Sequence, residues 1–366
     1  MTHAIGRRAM TASTSTTKTG AGNFFETFRV GQVMAHATPR TITEGDVAVY
    51  QGLYGSRFAL QSSVPFARAI GYPTAPVDDL IVFHVILGKT VPDISLNAIA
   101  NLGYADCRFL APVFPGDTLA ATSEVLGLRE NSSGDSGIVY VRTNGTNQDG
   151  VTVLTYARWV MVRKRDKAAP APVPSVPKLP EAVTADQLGA AVPPLHVESW
   201  DKTLAGSAHF WDDYAVGEKI DHVDGMTIEE AEHQIATRLY QNTARVHFNQ
   251  HVEGQGRFGR RLVYGGVVIS LARALSFNGL ANAFHIAAIN GGRHVAPAFA
   301  GDTVYAWSEV LDKAEVPGRS DVGALRLRLV GVKDLAPSSF PLETAPGKYA
   351  PGVILDLDYW ALLPRA

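Results

Sequence analysis

The chain has 366 residues, 46% hydrophobic and 19% charged, enough for two ordinary globular domains with substantial cores. A net charge of −2 leaves no basic field for nucleic acid or an anionic lipid surface. The single cysteine, Cys107, excludes an internal disulfide and points to a reducing, cytoplasmic setting, and the apolar runs 80–87 and 263–275, broken by His84 and Arg273, are too short for a membrane span.

Residues 1–22 are Ser/Thr-rich with two arginines and no acids, a composition expected for a disordered tail and faintly like an organelle transit peptide. A first domain is expected over 23–164. Thr41 and Glu44 have capping-box spacing, so a helix should start there and run past Tyr50 toward a loop at 54–62. The segment 79–90 is apolar nearly all round and predicts a helix buried on every side. Strand signals follow at 108–113, 119–126, 138–142 and 151–162, with a PGDT turn after the first. The Pro/Ala-rich stretch 165–205 loses apolar periodicity and predicts a semi-extended linker.

A second domain is expected over 206–366, where the same order recurs. Thr227 and Glu230 repeat the capping spacing, a second apolar helix is expected after Gly265, and RHVAPAFAGDT at 293–303 repeats RFLAPVFPGDT at 108–118. The offset stays at 185 or 186 residues across these landmarks, the mark of an internal duplication. A helix buried all round needs a wrapping surface, and the antiparallel sheet that follows it is the available one. The expected class is therefore α+β, each half a curved sheet around one helix.

The stretch 240–249, YQNTARVHFN, ends an amphipathic helix and places Asn242, Arg245 and His247 in a loop. This loop resembles the Gly-Asp-x-Asn-Pro-Leu-His signature of the MaoC-like, R-specific hydratase family, whose tandem form is the double hotdog. Residues 241–247 fall on the signature, as do residues 55–61, where Ser56 and Gln61 replace Asn242 and His247. The resemblance spans about residues 24–164 and 206–366. Runs such as TEGDVAVYQGLYGSRFALQSS and RLVYGGVVISLARALSFNGL resemble one branch, the mesaconyl-CoA hydratases. That resemblance implies reversible water addition to mesaconyl-CoA, giving β-methylmalyl-CoA, with no cofactor beyond the coenzyme A of the substrate.

Adding water to an unsaturated thioester needs a proton taken from water, a proton delivered to Cα and a stabilised thioester oxygen. On the signature, His247 is expected to move the protons, since imidazole titrates near neutrality. Off the signature, a lone His is more simply a satisfied loop residue. Asn242 stands at the family's catalytic aspartate. An amide can hold a water but cannot take its proton, so the family's acid–base pair is not assumed, and Asn242 also fits a helix C-terminal cap. Arg245 stands at the family's proline and is expected either to pair with the carboxylate of a mesaconyl group, with Arg57 and Arg293 as rivals for that role, or to be a surface residue. Gly265 and Gly266 open the second apolar helix, where backbone amides would meet an enolate oxygen; tight helix–sheet packing explains glycine equally well. The first half has Asp78 and Asp79 there, which would repel an enolate, so that half is expected to shape the substrate pocket with Tyr54 and Phe58. Tyr264 joins the substrate-binding set, and Arg260 and Arg261, beside Arg257, are expected near the phosphates of coenzyme A or on a solvated face.

Two motifs are set aside. Gly254–Gly259 matches GxGxxG but follows no strand. His247, His251 and Glu253 lack the arrangement of a zinc site, so no metal is expected. An acyl-CoA substrate and self-association are the expected partners, without nucleic acid or membrane. A hydratase for ordinary enoyl-CoA chains and a non-catalytic acyl-thioester binding module remain the alternatives, the second favoured by Asn242.

Overall fold

The computed structural model describes residues 18–365; most of the expected tail lies outside them. Twelve strands follow in chain order: β1 Val33–Thr41, β2 Ala98–Phe109, β3 Thr118–Glu130, β4 Ser136–Thr146, β5 Thr152–Arg163, β6 Lys219–Thr227, β7 His285–His294, β8 Thr303–Glu315, β9 Val322–Lys333, β10 Glu343–Ala345, β11 Lys348–Tyr349 and β12 Val353–Pro364. Ten form one sheet in the order β1-β3-β4-β5-β2-β7-β12-β9-β8-β6, and β10 and β11 make a separate small hairpin. The order is its own mirror image about the β2/β7 seam. Cys107 faces Ile289 across that seam and is fully buried, which pushes its thiol pKa up and makes it an inert core residue.

Each half wraps a central helix. Asp79–Thr90 buries every residue from Leu80 to Thr90, and Gly265–Leu275 buries Gly266 through Ala274. Details repeat between the halves. His36 Nε2 meets Ser123 Oγ at 2.8 Å and His222 Nε2 meets Ser308 Oγ at 2.8 Å. The repeated Gly-Asp-Thr is a turn device: Asp117 accepts the Phe114 N–H at 2.8 Å, Asp302 accepts that of Phe299 at 2.9 Å, and Gly116 and Gly301 take φ of 104° and 97°.

The capping spacing marks the right helices two residues early. Thr41 and Thr227 end strands, where their hydroxyls bond Thr118 and Thr303 across the pair. The capping boxes are Thr43 with Asp46 and Glu229 with Glu232. Strand β2 begins ten residues before the expected 108; its leading part, with Ile99 and Ala100 both exposed, lacks the alternation of apolar and polar residues that marks the other strands. The 165–205 stretch is packed along the sheet and buries Val183, Leu188, Val192, Leu195 and Trp200 in the second core cluster.

Candidate active site

The helix Glu230–Leu239 carries the signature loop at its end. Gln241 takes the left-handed conformation at φ 52°, so that the Gln241 N–H donates to Arg238 O and the Asn242 N–H to Thr237 O, both at 3.0 Å. This double closure is a Schellman motif. It turns the chain sharply and buries Asn242 to 5% exposure. Asn242 Oδ1 accepts the Ala244 N–H at 3.0 Å, and its NH2 group has no protein partner among the described residues.

A one-turn helix, Arg245–His247, follows. His247 is half-buried, and its Nδ1 lies 2.9 Å from Leu262 O. A carbonyl can only accept, so Nδ1 carries the proton and Nε2 keeps a lone pair. Burial, chiefly, lowers its pKa to about 4, with His233 and His294 adding to the shift. The ring is therefore neutral at neutral pH and able to take a proton. It packs edge-on to Tyr264, centroids 5.4 Å apart.

Tyr264 precedes the helix Gly265–Leu275, whose start has no side-chain cap and no acid in its first turn. The first amides of any α-helix lack intrahelical acceptors and carry partial positive charge. A Cβ on Gly265 would overlap the His294 imidazole, and one on Gly266 would overlap Tyr264 and His84. Glycine here lets three aromatic groups crowd the helix start. His294 is half-buried, with its pKa also lowered to about 4 by burial. Its Nε2 lies 3.5 Å from the Tyr104 hydroxyl. His84 is fully buried between Ser270 Oγ at 3.2 Å and the Tyr264 hydroxyl at 3.3 Å.

A cavity of about 510 Å³ opens beside this loop, between the halves. The second half contributes Gln234, Thr237, Arg238 and the run 241–243 with Phe248, while the first half contributes Thr38, Gly88, Lys89 and Pro92 with Ala37. Asn242 thus lines the cavity, whereas His247 lies behind that lining, held by Leu262 O and packed on Tyr264.

The other expected residues fall elsewhere. Arg245 is exposed and does not line the cavity. Tyr54 is buried with its hydroxyl 2.9 Å from that of Tyr240, its own counterpart across the pseudo-twofold axis. Phe58 is buried against Phe277 and beneath the Arg273 guanidinium, 3.8 Å from ring centroid to Cζ. Neither shapes the cavity; the first half does so through the end of its central helix. Arg261 is committed to Glu230 and Gln234, while Arg260 is exposed, stacked on Phe299 and bonded to Ala300 O. His294 and Lys89 were not anticipated. The sequence signal for His294 is the offset itself, which sets it against Phe109 in an otherwise repeated run. Among the described residues no three His, Cys, Asp or Glu side chains are grouped to hold a metal, and no helix is long and apolar enough to cross a membrane.

The family model for mesaconyl-CoA hydratase matches residues 7–193. The chain is 64% identical to the β-methylmalyl-CoA dehydratase of Chloroflexus aurantiacus, across 95% of this chain and 99% of that protein. It is 62% identical to the mesaconyl-CoA hydratase of Cereibacter sphaeroides, across 95% and 100%. The chain belongs to the mesaconyl-CoA hydratase family. A solved MaoC-domain dehydratase structure from Chloroflexus aurantiacus superposes with a TM-score of 0.93 at 63% identity, covering 96% of this chain and all of that one. A double-hotdog protein of Mycobacterium tuberculosis shares the fold, with a TM-score of 0.71 at 24% identity over 94% and 98% of the two chains. The chain is an α+β double hotdog and an enzyme of the hydratase–dehydratase type.

Proposed function

We propose that the chain catalyses the reversible addition of water to mesaconyl-CoA, giving β-methylmalyl-CoA. One juxtaposition carries the reading: an imidazole with its Nδ1 proton tied to a backbone carbonyl stands beside an uncapped, glycine-opened helix start. Nε2 of His247 takes a proton from water as the oxygen joins Cβ. The amides of Gly265 and Gly266 hold the thioester oxygen as negative charge moves onto it, and collapse of the enolate takes a proton at Cα. The Asn242 NH2 donates to the water oxygen and so aims a lone pair at Cβ. The proton delivered to Cα is the one His247 took from water, returned by its imidazolium so that the ring ends neutral; His294, against Gly265, is a second neutral imidazole where the family's aspartate is missing. Tyr264 packs the substrate side of the helix start, and Arg260 offers an exposed cation to the phosphates of coenzyme A. No separate cofactor enters these steps, and the enzyme is expected to work as a homo-oligomer in the cytoplasm.

Asn242 favours a second reading, an acyl-thioester binding module without turnover, because its amide cannot take a proton. Absorbance of the enoyl-thioester band separates the two. The band should fall when mesaconyl-CoA meets the enzyme and rise when β-methylmalyl-CoA does. Binding of mesaconyl-CoA without any change in the band would leave the module.

A further inference from the structure

Lys89 sits in the last turn of the first-half central helix and is 3% exposed. Its ammonium donates to Thr38 O, and no carboxylate lies within ion-pair distance among the described residues. Burying a cation without a counter-charge is costly, and Lys is among the residues that almost never do it unpaired. Burial, chiefly, lowers the Lys89 pKa to about 8, and the like charge of Arg40 adds to the shift. A place near a helix C-terminus favours a cation only weakly and does not require burial. Packing does not require lysine either. The counterpart in the second half, at the offset of 186, is Leu275, which fills the same place in its helix with a hydrocarbon.

In the first half this helix end faces the cavity. Lys89 lines it, with Arg238 as the other cation, and none of its described lining residues is Asp or Glu. Gly88, one residue earlier, packs so closely on the Tyr240–Asn242 backbone that a Cβ there would overlap Tyr240 O. Lys89 is thus fixed beside the loop that carries Asn242. The ammonium has three donors and spends one on Thr38, leaving donors for an anionic oxygen in the cavity.

We infer that Lys89 is a specificity-determining residue that binds the carboxylate of a dicarboxyl acyl group in this cavity. The inference rests on the functional reading above, since the mesaconyl group carries such a carboxylate close to its double bond. It moves that role from Arg245, which is exposed, to a cation held by the half that lacks the signature histidine. The phosphates of coenzyme A offer the same anionic oxygens, so the test must tell the two sources apart.

Lys89→Met keeps the length and apolar stem of the side chain, and Lys89→Arg keeps the charge. Dissociation constants are measured by calorimetry for three unreactive ligands: 2-methylsuccinyl-CoA, its uncharged-tail analogue 2-methylbutyryl-CoA, and the 2-methylsuccinyl thioester of pantetheine, which lacks the phosphates of coenzyme A. Lys89→Met should weaken both methylsuccinyl ligands about 100-fold and 2-methylbutyryl-CoA less than about 3-fold, while Lys89→Arg recovers most of the loss. Weakening of the two coenzyme A esters with the pantetheine ester spared would place the phosphates at Lys89 and overturn the carboxylate assignment. Equal effects on all three ligands, or none, would overturn the site. These titrations need no turnover. A wild-type enzyme that binds in the expected pattern yet leaves mesaconyl-CoA unchanged would sink the functional reading and leave the anion site standing.

Discussion

The two halves share a fold to the level of single hydrogen bonds and differ where the chemistry is placed. In the second half His247 and His294 flank a helix that starts with glycine. In the first, the same places hold Gln61, Phe109 and Asp79. Gln61 donates to Phe284 O at 3.0 Å, and Asp79 accepts the Ile286 N–H at 2.8 Å while meeting His285 at 2.9 Å. Together they wall a space of only about 10 Å³. The first-half helix start is also capped, by Asp78 on the Leu80 amide at 2.9 Å. Amides that would be open to a ligand are spent on the fold. After a duplication, then, one copy of a site can be turned into structure by a handful of replacements, each satisfying a donor or filling a space. That half still contributes Lys89 to the lining of the cavity, so on the proposed reading the two copies divide a task rather than keep one and lose the other.

The largest effect should come from making the second half like the first at its histidine. His247→Gln keeps a polar side chain of similar reach but removes the proton-accepting nitrogen. Turnover of mesaconyl-CoA should fall by about 10³-fold or more, with a thermal midpoint within a few degrees of wild type, because the ring is only half-buried. Retained turnover would remove His247 from the reaction. Gly265→Asp, the matching change at the helix start, should cost about 10²–10³-fold in kcat. It places a negative charge where the enolate develops and overlaps His294, so circular dichroism must accompany the rates. Gly265→Ala meets the same overlap without the charge; the difference between the two variants measures the electrostatic part.

Much of this division was legible before any coordinates. The repeated offset, the all-apolar helices and the alternating strands follow from local patterning, a curved sheet around each helix follows from the need to wrap a helix with no polar face, and the double hotdog itself came from the family resemblance. Pairing across the axis was not legible. Tyr54 was expected in the pocket because it precedes a signature-like loop, but the pseudo-twofold turns it onto Tyr240. Phe58 goes beneath Arg273 for the same reason: its neighbours come from the other half. Lys89 reads as an ordinary helix-end lysine until Leu275 is set beside it. Differences between the repeats, position by position, were the better guide to the site than either repeat alone.

Acid should destabilise both halves, since each buries a histidine: His84 in the first has its pKa lowered to about 3 by burial. His222, fully buried in the second half, has its pKa lowered to about 4 by burial. An unfolded histidine titrates near 6.5, so as pH falls below that value the unfolded chain takes the proton first and the folded state is disfavoured. The loss begins near pH 6.5, is complete near pH 4 and does not occur above neutrality; for His222 alone it reaches about 3 kcal/mol. His247 and His294 shift in the same direction. Urea midpoints should therefore fall steadily between pH 7 and pH 5. Since His247 stays neutral through that range, the acid limb of kcat/KM should follow loss of ellipticity; a limb near pH 6.5 in fully folded enzyme would contradict the lowered pKa.

The smallest effect should appear at Gln241, where the halves differ in backbone comfort. Gly55 and Gln241 both end a helix in the left-handed region, at φ of 62° and 52°. Glycine takes that conformation without steric cost, and a side chain with a Cβ does not. Gln241→Gly should therefore raise the unfolding free energy by up to about 1 kcal/mol, offset in part by the freedom glycine gains in the unfolded chain. Asn242 is aimed by the hydrogen bond of its own amide to Thr237 O rather than by the Gln241 side chain, which lies on the exposed side of the turn. Turnover should stay within about 2-fold of wild type. A large loss of kcat with the stability gain intact would mean that Gln241, at the rim of the cavity, meets the substrate itself, and would give the unusual residue a reason to be there.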